Sequence, residues 1–291
     1  MSYNKSKSSW STVLSKQVGK SPDQRKCEDV IYRGTHYAII DGATDKSGYL
    51  YLLNGERISS GKFAALVIAS TLDTVPLGNP VALTVETISK ELNKAILDQY
   101  PNIKKEYRPS ASVIVFDSIL DIIWSVGDCL VALEGNGILE QYDYGFEVDK
   151  LLSHMRFLVH QELISNGKPW NPESEEKDPG REAILPFLKI QGLLSNTTGD
   201  FTYGVMNGLS VPSEHIKTVK VSPKINNIYL VSDGYPAIVV DGVVLYERAG
   251  EYLKELLLED PLCIGRLRGT KGLVKGNLAH DDRSWLHIKR E

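Results

Sequence analysis

Acidic residues stand beside glycines where short apolar runs of this chain end, and their oxygen atoms could bind metal ions. Asp41-Gly42 and Asp233-Gly234 each close an apolar run, and Gly127-Asp128 closes another. The pair Asp281-Asp282 precedes the last such run, and Glu28-Asp29 precedes the first. Aspartate and glycine are also the usual turn residues, so each position taken alone is most simply a turn between strands.

Taken together, these acidic positions favour a metal site. A carboxylate at the mouth of a buried strand is unfavourable unless it is paired or holds a cation. If two sheets pack face to face, their strand ends meet at one edge, and several carboxylates there would repel each other. Oxygen ligands without a cluster of His or Cys indicate Mg²⁺ or Mn²⁺ in preference to Zn²⁺.

The sequence predicts both strands and helices to position these carboxylates. Apolar runs with turn residues at their ends predict strands over residues 37–40, 112–116, 121–126, 129–133, 228–232 and 284–288. A helical apolar spacing covers residues 61–72, 83–100 and 250–258. Because the strands are joined by short connections, we expect antiparallel hairpins. The lack of strict alternation between strands and helices predicts an α+β fold, not a parallel doubly wound one.

We expect one domain over residues 13–291, preceded by a flexible tail of residues 1–12 that is rich in serine and lysine. Residues 141–195 depart from the strand pattern. Residues 150–165 have helical spacing, and residues 166–180 are dense in proline, glutamate, asparagine and glycine. We interpret this segment as a mobile surface insertion and not as a domain boundary.

The composition, 42% hydrophobic and 24% charged, is that of a soluble globular protein. A net charge of −4 argues against a large nucleic-acid surface, because duplex-binding proteins usually carry a basic excess. Cys27, Cys129 and Cys263 are widely spaced and odd in number, which indicates reduced thiols and a cytoplasmic location. No apolar run approaches the length of a membrane span, and the N-terminal residues lack the apolar core of a secretion signal.

The acidic motifs occur in an order that resembles a known family. The steps that carry the resemblance are Glu28-Asp29, Asp41-Gly42, Ser110-Ala111-Ser112, Val126-Gly127-Asp128, Ser232-Asp233-Gly234 and Asp281-Asp282. This ordered set resembles the PP2C-type (PPM family) metal-dependent serine/threonine protein phosphatases, in particular their bacterial members. The resemblance spans about residues 24–288. It implies a four-layer α-β-β-α sandwich, in which helices flank two antiparallel β-sheets.

The resemblance also implies metal ligands and catalytic residues. Asp41 would bridge two Mg²⁺ or Mn²⁺ ions, and the carbonyl of Gly42 would complete one coordination shell. Asp233 and Asp281 would hold one of the two ions. Asp41 and Asp233 are therefore expected to act in catalysis, through a water molecule that the metals activate for attack on phosphorus.

Further positions follow from the same resemblance. Glu28 or Asp29 would lie at the second metal ion, and Asp128 at a third, weaker one. In the family, an arginine that binds phosphate lies four residues before the glutamate, where this chain has Gln24. We therefore expect Arg25 to contact phosphate, with Arg33 or Lys26 as alternatives.

The implied activity is hydrolysis of phosphoserine and phosphothreonine in proteins, with residues 141–195 forming a flap that helps to select substrates. The expected partner is a phosphorylated protein, with no nucleic acid and no membrane, and the oligomeric state is left open. Two alternatives remain: a binding module of this fold without catalysis, and a phosphatase for a small phosphorylated metabolite. The glycine-rich basic segment 265–276 is either a solvated loop or a rim that attracts phosphate. Beside Asp281, His280 is a candidate partner of the ligands.

Overall fold

Two antiparallel β-sheets form the centre of the structure. The computed structural model describes residues 9–44, 46–174 and 176–291. The strands are β1 (Trp10–Val18), β2 (Val30–Arg33), β3 (Tyr37–Gly42), β4 (Leu50–Leu53), β5 (Glu56–Ser59), β6 (Ala111–Asp117), β7 (Ile122–Val126), β8 (Leu130–Gly135), β9 (Ile138–Tyr142), β10 (Lys217–Lys220), β11 (Asn227–Val231), β12 (Val239–Val240), β13 (Val243–Val244) and β14 (Arg283–Arg290). The helices are α1 (Ser60–Leu72), α2 (Val81–Leu97), α3 (Glu147–Ser165), α4 (Pro179–Ile190) and α5 (Ala249–Glu259).

Each large sheet has five strands. One has the order β1-β14-β11-β8-β9, and the other has the order β10-β7-β6-β3-β2. Every neighbouring pair in both sheets is antiparallel. Two small hairpins, β4-β5 and β12-β13, lie outside these sheets. The antiparallel arrangement predicted from the short connections is therefore confirmed.

The space between the sheets is filled by apolar side chains from alternate strand positions. Ile39 of β3 and Ile114 of β6 pack there against Leu230 of β11 and Leu286 of β14. All four are fully buried. The alternation follows from the two-residue repeat of a strand, which sends neighbouring side chains to opposite faces. Burial of this shared core holds the two sheets face to face.

The outer faces of both sheets are covered by helices. Ala38 and Ile40, the outward neighbours on β3, pack in one cluster with Ile68 of α1 and with residues of α2. On the other sheet, Trp285 of β14 packs in a cluster with Ala249 at the start of α5. The result is a helix–sheet–sheet–helix sandwich, so the predicted α+β architecture is confirmed.

The segment 141–195 contains two packed helices. Val148 and Ile184 belong to an apolar cluster between α3 and α4. The Asp178 carboxylate caps α4 by accepting a hydrogen bond from the backbone N–H of Arg181 at 3.0 Å. Helix α4 was not predicted from the sequence, because prolines are more typical of loops than of helices. The mobility of this segment stays a prediction.

The predicted tail boundary at residue 12 is wrong. Residues 10–12 belong to β1, which pairs with β14 from Trp10 opposite Arg290 to Val18 opposite Arg283. Polar residues dominate this edge strand, so it lacks the apolar run that reveals the central strands. Residues 1–8 lie outside the described residues. Across the described chain, no helix is both long and apolar enough to cross a membrane.

Candidate functional site

Five of the residues predicted to bind metal line one cavity at the edge of the sheets. Asp41 and Gly42 close β3, Asp128 follows β7, Asp233 follows β11, and Asp281 precedes β14. The cavity has a volume of about 460 Å³. The structure therefore brings these strand ends together, and the binding of metal by the five residues stays a prediction.

Two glycines allow the strand ends to approach this closely. Gly127 has a φ of +116°, and a Cβ atom there would lie 2.3 Å from the Ser112 hydroxyl oxygen. That hydroxyl donates a hydrogen bond to the Asp128 carboxylate at 2.6 Å. At Gly234, a Cβ atom would lie 1.8 Å from the carbonyl oxygen of Asp282. Any side chain at either position would push the adjacent aspartate away from the cavity.

We expect Gly234→Ala to destabilise the protein by about 1–3 kcal/mol, because the backbone must shift to accept the methyl group. Apparent affinity for Mn²⁺ should also fall, since Asp233 and Asp281 would move apart. Thermal unfolding with and without Mn²⁺ measures both effects. Gly250→Ala in α5 is the control, because its Cβ would meet nothing closer than Lys16 Nζ at 3.7 Å. An equal response of the two variants would contradict the steric argument.

Negative charge accumulates on one side of the cavity. Burial raises the pKa of Asp41 well above its ordinary value, and the carboxylates of Asp29 and Asp233 raise it further. Burial and the charge of Asp281 raise the pKa of Asp233 to about 6, against a hydrogen bond with Asp41 that lowers it. Burial also raises the pKa of Asp128. A proton or a divalent cation relieves such repulsion.

The acidic pair before β2 is held by hydroxyl groups. Glu28 accepts hydrogen bonds from the Ser59 hydroxyl at 2.6 Å and the Thr44 hydroxyl at 2.7 Å. Asp29 is buried and accepts a hydrogen bond from the Ser232 hydroxyl at 2.8 Å. Burial raises the pKa of Asp29 to about 7. Neither acidic residue lines the cavity, so this pair lies behind its wall.

Two lysines pair with the acidic residues that precede β14. Lys271 forms an ion pair with Asp281. Lys20 Nζ lies 3.3 Å from Asp281 Oδ1 and 3.3 Å from Asp282 Oδ2. Burial would raise the pKa of Asp281, but the two ammonium groups hold it well below its usual range. Burial would lower the pKa of Lys20, but the charge of Asp281 and its neighbours raises it above its ordinary value.

These observations test whether the site suits Mg²⁺ or Mn²⁺. Within residues 9–44, 46–174 and 176–291, no three His, Cys, Asp or Glu side chains converge as a ready-made metal cluster. The carboxylate oxygens of Asp41, Asp128 and Asp233 nevertheless have the chemistry that a hard divalent cation prefers, together with an excess of negative charge. The side formed by Glu28 and Asp281 already holds ammonium groups. The donor set therefore fits a divalent cation on its Asp41 side.

Arg25, the residue expected to contact phosphate, does not line the cavity, and its contact with phosphate stays a prediction. Its side chain is 89% exposed and pairs with Asp23 at 2.9 Å. Neither Arg25 nor the alternatives Arg33 and Lys26 are among the described residues that line the cavity. A short 3-10 turn over residues 24–26 directs this segment toward solvent.

Cationic side chains instead reach the cavity from the segment 265–276 and from α4. Arg266, Arg268 and Lys271 of that segment line the cavity. Arg181 of α4 lines it as well, and its guanidinium donates a hydrogen bond to the carbonyl of Thr270 at 2.9 Å. Arg181 was missed because no motif marks it. The basic composition of the 265–276 segment was the available signal for the other three.

His280 lines the same cavity beside Asp281. Burial lowers the pKa of its imidazole to about 4, although the carboxylate of Asp281 opposes this. The ring is therefore neutral near pH 7, so one of its nitrogens can donate a hydrogen bond and the other can accept one. Its role as a partner of the ligands stays a prediction.

Comparisons with known proteins identify the fold. No family model matches this sequence, and no curated protein matches it. A bacterial serine phosphatase structure has 13% sequence identity and a TM-score of 0.50, with 98% of each chain covered. The Mycobacterium tuberculosis serine/threonine phosphatase PstP/Ppp has 15% identity and a TM-score of 0.49, covering 97% of this chain and 99% of that chain. The catalytic domain of PstP in complex with two manganese ions has 16% identity and a TM-score of 0.49, covering 96% and 97%. The similarity to the first of these structures, together with the four layers described above, shows that this chain has the PP2C-like fold.

Proposed function

We propose that this protein is a metal-dependent phosphatase that hydrolyses phosphoserine and phosphothreonine in proteins. The observation that carries the proposal is the group of carboxylates Asp41, Asp128 and Asp233, which lines a single cavity together with basic side chains. A fold neighbour is described as a bacterial serine phosphatase, which supports the same reaction class. No protein nucleophile is required, because water is the acceptor of the phosphoryl group.

In phosphate hydrolysis, the acidic side chains of this site would bind the metal ion and the basic side chains would bind the phosphate. Asp41, Asp128 and Asp233 would hold Mg²⁺ or Mn²⁺ through their oxygens. Such an ion, when bound, lowers the pKa of a water molecule and neutralises charge on a phosphoryl oxygen. Arg181 and Lys271 also line the cavity, where cations attract and orient a phosphate dianion. Partial burial of Asp41 and Asp128 strengthens these electrostatic interactions by limiting contact with bulk water.

The walls of the cavity suit a phosphorylated side chain on a larger molecule. Asp149 of α3 and Arg181 of α4 line it, as do the exposed side chains of Arg266 and Arg268. A helix pair and a basic loop therefore border the cavity, where they can contact residues next to the phosphate. This supports a phosphorylated protein as the partner and the 141–195 segment as the flap. The unpaired cysteines fit the cytoplasmic location that we also propose.

One observation favours a second candidate function, a binding module without catalysis. Lys20 and Lys271 already pair with the acidic residues on one side of the site. An ammonium group there could replace an ion that hydrolysis needs. Such a module would still present its basic rim to a phosphorylated partner.

The test is hydrolysis of p-nitrophenyl phosphate and of a phosphothreonine peptide in Mn²⁺, in Mg²⁺ and in EDTA. We expect metal-dependent turnover of both, with higher kcat/KM for the peptide, and loss of turnover in EDTA. A set of small phosphate esters tests the metabolite alternative, which would be favoured if one of them exceeded the peptide. Absence of turnover in either metal, from folded protein that binds Mn²⁺, would contradict the phosphatase proposal and favour the binding module.

A further inference from the structure

Lys20 lies at the centre of a group of acidic side chains brought together from distant parts of the chain. Its ammonium nitrogen is 3.3 Å from Asp281, 3.3 Å from Asp282 and 3.7 Å from Glu28. It also donates a hydrogen bond to the Thr44 hydroxyl at 2.9 Å. The side chain is only 20% exposed. The Lys20 ammonium thus contacts three carboxylates and a hydroxyl, and Lys271 pairs with the other oxygen of Asp281.

The backbone holds Lys20 in this position. Its N–H donates a hydrogen bond to Asp282 Oδ1 at 2.7 Å, and its carbonyl accepts one from the N–H of Leu278 at 2.7 Å. The second oxygen of Asp282 accepts a hydrogen bond from the N–H of Glu28 at 3.0 Å. Lys20 is therefore fastened on both sides of its Cα atom, and its ammonium group is a built part of the site.

The charge of Lys20 takes the place that a cation would fill on this side. Glu28 and Asp281 are two of the carboxylates for which sequence analysis predicted metal contacts. A buried carboxylate needs a nearby positive charge, and a lysine ammonium provides it as a divalent ion would. Lys271 also pairs with Asp281, so a divalent ion added here would be repelled by two ammonium groups. By contrast, the strongest electrostatic influences on Asp41 come from other carboxylates.

We propose that Lys20 is a built-in cation of this site, so that the chain binds a divalent ion on the Asp41 side and excludes one from the Glu28 side. The inference depends on the proposed function in one respect only, which is the assumption that the bound ion is Mg²⁺ or Mn²⁺. If Lys20 occupies the place of a cation, the protein should bind one divalent ion fewer than the same carboxylates would bind without the lysine. Lys20 would exert this effect through its ion pairs with Glu28 and Asp281, which makes it a positioning residue.

The test is Mn²⁺ binding to the full chain by isothermal titration calorimetry. We expect Lys20→Gln to bind one more ion than the wild-type protein, with an affinity for the added ion at least about tenfold above any such binding in the wild type. Lys26→Gln, at an exposed lysine of the same segment, is the matched control and should keep the wild-type stoichiometry. Equal stoichiometry and affinity in Lys20→Gln and wild type would overturn the inference.

A second measurement does not depend on the folding of a variant. Amine acylation followed by mass spectrometry reports the accessibility of each lysine in wild-type protein. If Lys20 stays in the site, its protection relative to Lys26 is the same with and without Mn²⁺. If an ion displaces it, its labelling increases when Mn²⁺ is added, which would overturn the inference.

These readouts separate the inference from the proposed function. An additional Mn²⁺ ion in Lys20→Gln supports the inference even if neither protein hydrolyses phosphate. An active wild type in which Mn²⁺ exposes Lys20 would leave the phosphatase proposal standing and remove the inference alone.

Discussion

Asp41→Asn is expected to lower kcat/KM for a phosphothreonine peptide by at least about 100-fold, because one charged ligand can supply several kcal/mol of transition-state stabilisation. Asparagine has nearly the same shape as aspartate, so the strand end should keep its position. The substitution removes the negative charge of Asp41, which the carboxylates of Asp29 and Asp233 repel. Steady-state kinetics in saturating Mn²⁺ measures the loss.

The same substitution should increase stability in the absence of metal. A buried carboxylate with a raised pKa and acidic neighbours destabilises the folded state at neutral pH. We therefore expect the free energy of unfolding of Asp41→Asn to exceed that of the wild type in EDTA. Asp143→Asn, at an exposed residue on the cavity wall, is the control and should change neither quantity strongly. Retention of full activity in Asp41→Asn would rule out Asp41 as a ligand in hydrolysis.

Asp178→Asn is expected to destabilise the protein by about 3–5 kcal/mol, because it leaves a buried guanidinium without its counter-ion. Arg156 is 0% exposed, and its Nε and Nη2 donate hydrogen bonds to Asp178 Oδ2 at 2.9 and 2.7 Å. The same guanidinium donates to the carbonyls of Leu262 at 2.6 Å and Cys263 at 3.0 Å. It thereby ties α3 to α4 and to the segment that precedes the basic rim.

Thermal unfolding should show a fall in Tm of roughly 10 °C for Asp178→Asn. The control is Lys177→Gln, because the exposed pair of Lys177 with Glu182 at 3.7 Å should contribute less than about 1 kcal/mol. A fall in Tm no larger than that of the control would show that the buried ion pair does not hold the helices.

The stability difference should also depend on pH. Burial alone would raise the pKa of Asp178, but the hydrogen bond with His160 and the charge of Arg156 lower it from 3.8 to about 2. A lowered folded-state pKa contributes stability that is present above the unfolded value and is lost as pH falls through the folded value. The difference between wild type and Asp178→Asn should therefore narrow by about 1 kcal/mol from pH 6 to pH 3. Urea unfolding at both pH values measures it, and a widening difference would contradict the assignment.

Local patterns were sufficient for the elements at the centre of the fold. The strand predicted over residues 112–116 is β6, and the strand predicted over 228–232 is β11 in the other sheet. Both are buried on two faces, so almost every residue in them is apolar and the signal is strong. Helix α1 begins at Ser60, one residue from the predicted start.

Elements that depend on distant partners were harder to predict. Strand β1 is mostly polar and exists because β14, near the other end of the chain, supplies its hydrogen-bond partners. Helix α4 contains Pro186 and starts at Pro179, so its composition resembles a loop. Its stability comes from packing on α3 and from the Asp178 cap, neither of which a local pattern reveals.

Local sequence patterns were enough to predict the fold class and the order of the acidic strand ends, because strand burial and turn chemistry are encoded within a few residues. The charges that surround these strand ends became visible only in the folded chain. Arg25 lies close to Glu28 in sequence but points to solvent. Lys20 meets Asp281 from more than 250 positions away, where Asp282 holds its backbone. Electrostatic interactions act through space, so the balance of charge in this site depends on contacts that folding creates.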